Sequence, residues 1–211
     1  MIVYGVGTLR TLRVHWTLKE LNLSYKTEAI RSRSGQTQTR DYTKLHPGQK
    51  VPYLQDGNLG ISESAAICIY LAERYGNGFL IPANGKFEQR AKVFQSCFYA
   101  MTELDAHTLY IIAKHGGSLS SYYKCSEEAV EIAVAGFNKQ ICIANKLVGS
   151  QYCYILGREF TVADIILVTC IISAVKLARQ FELVIPNKLI KYSENIQRRK
   201  AFQIATVENS Q

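Results

Sequence analysis

The first 75 residues alternate between short apolar runs and longer segments with helical spacing. Residues 2–5 and 24–30 each have the length and composition of a strand. Between them, residues 8–21 predict a helix, whose apolar positions include Leu12, Trp16 and Leu18. This strand-helix-strand order predicts the start of a parallel sheet, because parallel neighbours need a crossover connection. Residues 38–45 add a short helix.

A hairpin and another helix complete this first region. Residues 52–55 and 59–61 flank the turn sequence Asp56-Gly57-Asn58, which predicts two antiparallel strands. Residues 62–75 then have the apolar spacing of a helix. The resulting order, β-α-β-α-β-β-α, is that of a thioredoxin-like α/β domain. We assign that domain to residues 1–76.

The remainder of the chain has a helical pattern. Glycines and Pro82 are frequent in residues 77–85, which we interpret as a linker. Beyond the linker, long periodic segments predict helices over residues 87–115, 126–147 and 161–181. We therefore expect residues 86–211 to form an all-α helical bundle domain.

The last of these three segments begins with a recognisable start signal. Thr161 can cap a helix, and Asp164 three residues later can return a hydrogen bond, as in a capping box. Phe160 and Ile165 are spaced to form the hydrophobic contact that often accompanies such a cap. We expect Thr161 and Asp164 to serve folding, not chemistry.

Composition limits the classes of function. With 211 residues and 47% hydrophobic residues, the chain can bury a sizeable core. No apolar run approaches the roughly 20 residues of a membrane span, and the sequence MIVYGVGTLR enters a strand directly, so we expect a cytoplasmic protein without membrane attachment. The formal charge of +8 is spread along the chain, which favours attraction of a small anion over nucleic-acid binding.

The cysteines do not suggest a metal or a redox centre. Six are present, with no CxxC pair and no clustering with the four histidines. We expect no metal site, and most of the thiols to be reduced and buried.

Two residue pairs between positions 50 and 75 have the chemistry of a peptide-binding site. Pro52 has no backbone donor and permits a cis bond, so the amide and carbonyl of Val51 can face an extended peptide. Glu63 and Ser64 stand where a helix begins and its amides are unpaired, which favours a carboxylate ligand. Ser64 can donate to that carboxylate and Glu63 can bind an ammonium, so a zwitterionic peptide end would suit the pair.

Three stretches carry a resemblance to a known family. KVPYLQDGNLGISESAAICIYLAERY, GREFTVADIILVTCII and the ending RRKAFQIA resemble the glutathione S-transferase family of the cytosolic type, and are most similar to its bacterial-type members. In the ending, Lys200 stands where the family usually has proline. The resemblance covers nearly the whole chain and implies a thioredoxin-like domain followed by a helical domain.

The resemblance assigns binding roles to particular residues. Val51 would exchange backbone hydrogen bonds with the cysteinyl part of glutathione beside a cis Pro52, while Glu63 and Ser64 would hold the γ-glutamyl end. For the glycyl carboxylate it suggests Lys50, with His46 and Gln49 as alternatives.

The sequence offers several candidates for the residue that activates the sulfur. The family uses a tyrosine at the end of the first strand or a serine, sometimes a cysteine, in the first loop. Aligned on Leu12-Arg13-Val14, the serine position is occupied by Thr8, which we take as the catalytic residue; it can equally be a helix N-cap. Tyr4 is the alternative, and Arg10 and Thr11 are neighbouring candidates.

The resemblance implies a glutathione transferase that activates the glutathione thiolate for attack on hydrophobic electrophiles or peroxides. Glutathione would be a cosubstrate, with no metal or organic cofactor, and the protein would be a homodimer. The alternative is a non-catalytic glutathione-binding or interaction protein of the same fold, favoured by the atypical Thr8 loop and the basic segment of residues 31–40.

Overall fold

The computed structural model describes residues 1–149 and 153–211. Residue packing divides the chain into two compact units. The first unit comprises Met1–Gly85 together with Gln197–Gln211, and the second comprises Lys86–Ile196. The break at residue 86 coincides with the expected end of the linker, whereas the final segment belongs to a different unit from the one that the sequence suggested.

The first unit contains a four-stranded mixed sheet. In chain order its elements are β1 (Ile2–Val6), α1 (Leu9–Glu20), β2 (Lys26–Arg31), α2 (Arg40–Leu45), β3 (Tyr53–Asp56), β4 (Leu59–Ser62) and α3 (Ser64–Tyr75), with a 3₁₀ turn at Gln36–Gln38. The strand order is β2-β1-β3-β4. β1 pairs with β2 in parallel and with β3 antiparallel, and β3 pairs with β4 antiparallel. The predicted β-α-β-α-β-β-α order of a thioredoxin-like domain is confirmed.

The core of this unit lies between the sheet and helices α1 and α3. Trp16 and Leu18 of α1 and Ile67 and Leu71 of α3 are fully buried. On the sheet side, Leu54 of β3 is likewise fully buried. Burying each such side chain contributes about 1.5–3 kcal/mol, so this packing holds the loops at the strand ends in place.

A C-terminal helix, α9 (Lys200–Asn209), is part of the first unit. It packs along α1, where the rings of Trp16 and Phe202 meet edge to face with centroids 4.8 Å apart. Further along, Glu208 accepts a hydrogen bond from Thr27 Oγ1 at 2.8 Å and lies 3.4 Å from Lys19 Nζ. The expected assignment of residues 86–211 to one helical domain therefore differs from the packing, because these long-range contacts join α9 to α1 and β2.

The second unit is helical. Its elements are α4 (Phe87–Tyr99), a π-helical segment (Ala100–Leu109), α5 (Tyr110–His115), a 3₁₀ turn (Ser120–Tyr122), α6 (Glu127–Leu147), α7 (Val162–Leu177) and α8 (Asn187–Gln197). The helical character of the predicted 87–115 segment is confirmed, but its middle has the wider π-helical turn. In the described ranges, no helix has the length and apolar character needed to cross a membrane.

Helix α7 is the buried centre of this second unit, and Asp164 fixes its start. One carboxylate oxygen accepts from the Thr161 amide at 2.8 Å and from the Thr161 hydroxyl at 2.9 Å. The other accepts from the Ile155 amide at 2.8 Å and from the Tyr192 hydroxyl at 2.7 Å. The expected structural role of Thr161 and Asp164 agrees with these contacts.

Candidate functional site

Two loops meet at one end of the sheet in the first unit. β1 ends at Val6, directly before the Thr8 loop, and its Tyr4 pairs with Tyr53, the first residue of β3. Gly5 lies so close to the segment before β3 that a Cβ added to it would stand 2.5 Å from Val51 Cβ. Only glycine fits there, since φ is also +122°. The sheet therefore brings the Thr8 loop and the Val51 segment together.

The Val51–Pro52 peptide bond is cis, as the resemblance implied. Pro52 is buried and Val51 is half-buried. The β1–β3 ladder begins at Tyr53, so Val51 lies beyond it, and its amide and carbonyl are not taken up by the sheet register. An extended chain placed beside Val51 would meet a backbone edge.

Glu63 and Ser64 occupy the start of α3, as predicted. Glu63 is exposed and has φ +68° and ψ +111°, a backbone conformation that costs about 1–3 kcal/mol in a residue other than glycine. The first intrahelical donor is the amide of Ile67, which bonds Glu63 O at 2.9 Å, so the amides of residues 64–66 precede the helical pattern. These amides and the helix dipole favour an anion at this end.

Ser64 itself is more buried than the sequence suggested. It is 2% exposed, and its Oγ accepts a hydrogen bond from Arg13 Nη1 at 3.2 Å. Arg13 is also buried. Arg13 therefore joins α1 to the beginning of α3 and fixes the orientation of the Ser64 side chain.

Thr8 is the N-cap of α1. Its Oγ1 accepts from the amide of Thr11 at 3.0 Å, and its own amide donates to Thr11 Oγ1 at 3.0 Å. This reciprocal pair is a capping box built from two threonines. The N-cap alternative for Thr8 is thus observed, and it leaves the thiolate role open, because a hydroxyl that accepts one hydrogen bond can still donate another.

The other hydroxyls considered for the sulfur have different partners. Thr11 is fully buried, and its Oγ1 donates to Asn209 Oδ1 at 2.6 Å. Tyr4 donates to Gln55 Oε1 at 3.2 Å and packs against the ring of Tyr53. Both hydroxyls therefore serve contacts within the protein; Thr8 and Tyr4 are half-exposed, whereas Thr11 is buried.

The segment before Val51 supplies the opposite side of the site. Lys50 has an exposed side chain, while its carbonyl accepts from Tyr42 Oη at 2.6 Å. His46 stacks on Tyr53 with ring centroids 5.4 Å apart. Burial lowers the pKa of His46, the carboxylate of Glu63 opposes that effect and the charge of Lys50 adds to it. The charges of Glu63 and Lys50 thus act on His46 in opposite directions.

Gln49 and Tyr42 form hydrogen bonds between α2 and the loop that leads from it to Pro52. The third candidate for the glycyl carboxylate, Gln49, donates from Nε2 to Thr43 Oγ1 at 3.1 Å. Burial raises the pKa of Tyr42 to about 12, so this phenol remains a hydrogen-bond donor to the Lys50 carbonyl at neutral pH. Both contacts shape the loop from α2 to Pro52.

Sequence reasoning missed Asn209 and His15. Asn209, at the end of α9, contacts the Thr8 loop, and nothing in the local pattern of the tail signals that contact. His15 is fully buried in α1, with Nε2 3.0 Å from Gly5 O and Nδ1 3.0 Å from Tyr25 Oη. Burial lowers the pKa of His15, the hydrogen bond with Gly5 and the charge of Glu208 oppose this, and Lys19 adds to it.

Sequence comparison connects this chain to proteins of known name. A family profile described as "Glutathione S-transferase, N-terminal domain" matches residues 1–73. The chain is 34% identical over 170 residues to "Glutathione S-transferase hmp2" of Hypomyces subiculosus, with 77% of each chain covered. It is also 25% identical over 193 residues to the "Probable maleylacetoacetate isomerase" of Vibrio cholerae, covering 87% of this chain and 83% of that protein.

Solved structures share the fold. The glutathione transferase URE2P6 from Phanerochaete chrysosporium, in complex with oxidized glutathione, superposes with a TM-score of 0.83 at 21% identity, covering 99% of this chain and 96% of that one. A glutathione transferase family member from Pseudomonas fluorescens pf-5, with two glutathione bound, gives 0.81 at 19% identity, covering 97% and 91%. At such identities the likeness establishes the fold alone.

Proposed function

Because the chain belongs to the glutathione S-transferase family, we propose that it binds glutathione and activates its thiol for attack on hydrophobic electrophiles or peroxides. The observation that carries this proposal is the position of Thr8. It caps α1 with a half-exposed hydroxyl, and its loop meets the segment that ends in the cis Val51–Pro52 bond. A cysteinyl group aligned along Val51 would have its sulfur near this hydroxyl.

Each of the three parts of glutathione would have its own binding residues in the site. The backbone of Val51 would pair with the cysteinyl amide and carbonyl, as a short strand pairs with a sheet edge. The γ-glutamyl carboxylate would lie at the start of α3 beside Ser64, where unpaired amides favour an anion, and Glu63 would bind the ammonium. Lys50, whose side chain is exposed, would meet the glycyl carboxylate.

The chemical task is to raise the thiolate fraction. A free thiol has a pKa of roughly 8.5, so only a few per cent is ionised at pH 7. Lowering that pKa by about two units requires about 2.7 kcal/mol of preferential thiolate binding. One hydrogen bond from Thr8 to the anionic sulfur contributes about 1.5–3 kcal/mol, and the N-terminus of α1 adds about 0.3–1 kcal/mol. The two together supply the required free energy.

The conjugation step then follows from this thiolate. The sulfur donates an electron pair to an electrophilic carbon and forms a thioether, while the leaving group departs with the pair of its broken bond. Thr8 keeps its proton throughout, because its role is to hydrogen-bond the anion. Positioning and electrostatic stabilisation account for the catalysis, with glutathione as cosubstrate and no metal or organic cofactor.

A second candidate function is glutathione binding without turnover. It is favoured by one observation, namely that Thr8 Oγ1 lies 3.0 Å from Thr11 Oγ1 and can donate there instead of to a ligand. In that case the protein would act as a carrier or an interaction module of the same fold.

Binding and turnover measured side by side separate the two functions. Glutathione affinity is measured by calorimetry, and conjugation to a general aryl halide by absorbance, for the wild type, Thr8→Ser and Thr8→Val. Conjugation well above the uncatalysed rate in the first two, with about a hundredfold loss in Thr8→Val, supports the transferase. Tight binding with only the background rate in all three proteins supports the binding protein.

We also propose a cytoplasmic homodimer. Two aromatic side chains on α4, Phe87 and Phe98, are 79% and 61% exposed, which suits an interface more than a free surface. Sedimentation at micromolar concentration tests this proposal. A dimer that dissociates in Phe98→Glu supports it, and a monomeric wild type contradicts it.

A further inference from the structure

Asn209 contacts the backbone or side chain of three residues around the Thr8 loop. Its backbone carbonyl accepts from the Gly7 amide at 2.8 Å. Its side-chain Nδ2 donates to the carbonyl of Thr8 at 3.1 Å, and its Oδ1 accepts from Thr11 Oγ1 at 2.6 Å. A single residue at the end of α9 therefore contacts this region at Gly7, Thr8 and Thr11.

These contacts fix which way the Asn209 amide points. The Thr8 carbonyl can only accept, so the NH₂ group of Asn209 must face it. Oδ1 then faces Thr11, and because Oδ1 can only accept, the hydroxyl of Thr11 must donate to it. The hydrogen-bonding requirements of the neighbours thus determine the orientation of the Asn209 amide.

The Asn209 amide also determines where the hydroxyl proton of Thr11 points. Thr11 has one hydroxyl proton, and three acceptors lie near its Oγ1: Asn209 Oδ1 at 2.6 Å, Thr8 O at 2.8 Å and Thr8 Oγ1 at 3.0 Å. Donation to Asn209 leaves only lone pairs of Thr11 Oγ1 facing Thr8. Thr11 Oγ1 can then accept from the Thr8 amide, so Asn209 supports the capping pair that holds Thr8 at the start of α1.

Helix α9, which carries Asn209, is anchored at both of its ends by contacts with α1 and β2. Next to it, Glu208 accepts from Thr27 of β2 and lies near Lys19 of α1. At the other end of α9, Arg199 forms hydrogen bonds of 2.6 Å and 2.7 Å with Glu20. Because α9 is fastened at both ends, Asn209 holds a defined position against the loop.

From these contacts we propose that Asn209 is a positioning residue that holds the Thr8 loop in place, so that the Thr8 hydroxyl faces the glutathione sulfur. The inference rests on the proposed function. It gives α9 a part in thiol activation, although no residue of that helix needs to touch glutathione.

The test measures the thiol pKa of bound glutathione, by its ultraviolet thiolate absorbance, in the wild type, Asn209→Asp, Asn209→Ala and the control Asn195→Asp. Asn195 is an exposed residue of α8, so the control introduces the same charge elsewhere. Asn209→Asp cannot donate to the Thr8 carbonyl, and Asn209→Ala contacts neither group. Both should lower the thiolate fraction and kcat for an aryl halide by about tenfold, while Kd for glutathione changes less than twofold.

Thr11 variants provide the coupling test. Thr11→Ser keeps the hydroxyl and should behave as the wild type, whereas Thr11→Val should show the same raised thiol pKa as Asn209→Ala. The double variant should be no worse than either single change, because both remove the same interaction.

The possible outcomes distinguish this inference from the proposed function. One outcome is that the thiol pKa of bound glutathione is lowered by the same amount in the wild type, Asn209→Asp and Asn209→Ala. The inference is then wrong, and the transferase function stands. A loss of thermal stability in these variants with an unchanged thiol pKa likewise contradicts the inference, since it shows a structural role only. If the wild type itself leaves the thiol pKa unshifted, the proposed function fails and the inference fails with it.

Discussion

Arg199 binds Glu20 with two hydrogen bonds across 179 residues of sequence, from Nε to Oε1 at 2.6 Å and from Nη2 to Oε2 at 2.7 Å. The Glu20 side chain is only 5% exposed, and its Oε1 also accepts from Trp16 Nε1 at 2.9 Å. The pair is therefore partly shielded from water, and both partners are fixed by their geometry. It fastens the beginning of α9 to the end of α1.

Replacing Arg199 by lysine should destabilise the first unit, because lysine cannot form the parallel pair of hydrogen bonds. We expect Arg199→Lys to lower the free energy of unfolding by about 1–2 kcal/mol, measured by urea denaturation. Arg198→Lys is the matched control, since Arg198 is its exposed neighbour. Equal midpoints for the two variants would show that the ion pair adds nothing to stability.

Gly5→Ala should disturb the site directly. The new Cβ would stand 2.5 Å from Val51 Cβ, and the backbone has φ +122°. Gly157→Ala is the control, because its φ is +115° and a Cβ there has nothing within 4 Å. The control should cost about 1–3 kcal/mol of unfolding free energy through its backbone alone. Gly5→Ala should cost more and weaken glutathione binding; a loss no larger than that of the control would contradict the close approach.

His15 predicts a pH dependence of stability. Its pKa in the folded protein is lowered from the ordinary 6.5, with burial as the largest cause, so the unfolded chain binds a proton more readily than the folded one. The stability contributed by neutral His15 is complete above pH 6.5 and is lost as the pH falls through the folded pKa.

The comparison that isolates His15 uses His15→Gln and the exposed control His107→Gln. The free energy of unfolding is measured from neutral pH down through pH 6.5 and below. The pH-dependent loss should be smaller in His15→Gln than in the wild type and unchanged in His107→Gln. Parallel curves for all three proteins would argue against a depressed His15 pKa.

Asp164→Asn should be nearly as damaging as Asp164→Ala. One carboxylate oxygen accepts from the Ile155 amide and the other from the Thr161 amide. Backbone amides cannot rotate to offer an acceptor instead. An asparagine NH₂ must therefore oppose one of them. We expect a loss of about 2–4 kcal/mol in chemical denaturation. Glu194→Gln, an exposed charge removal on α8, serves as control, and a mild Asp164→Asn phenotype would refute the account of this cap.

Local patterns predicted much of this fold because they depend on neighbouring residues. The Asp56-Gly57-Asn58 turn, the Thr8 cap and the Thr161 capping box each involve residues within three positions of one another. The thioredoxin-like order followed from such elements. Their bounds moved by one to a few residues, as for the second strand, predicted at residues 24–30 and found at Lys26–Arg31.

The remaining features depend on contacts between distant residues. The sequence of α9 has a helical pattern, but the pattern does not reveal that Arg199 meets Glu20 or that Asn209 meets Thr8. Burial of Ser64 beneath Arg13 is equally non-local, because 51 residues separate the two. The family resemblance predicted binding roles for particular residues, whereas the packing shows which hydroxyls already have partners inside the protein.

Titration of the bound glutathione thiol decides whether Thr8 lowers its pKa. Thiolate absorbance is followed against pH for glutathione bound to the wild type, Thr8→Ser and Thr8→Val. We expect a thiol pKa about two units below the free value in the wild type and in Thr8→Ser, and a value about one to two units higher than these in Thr8→Val. An identical thiol pKa in all three proteins would contradict this expectation.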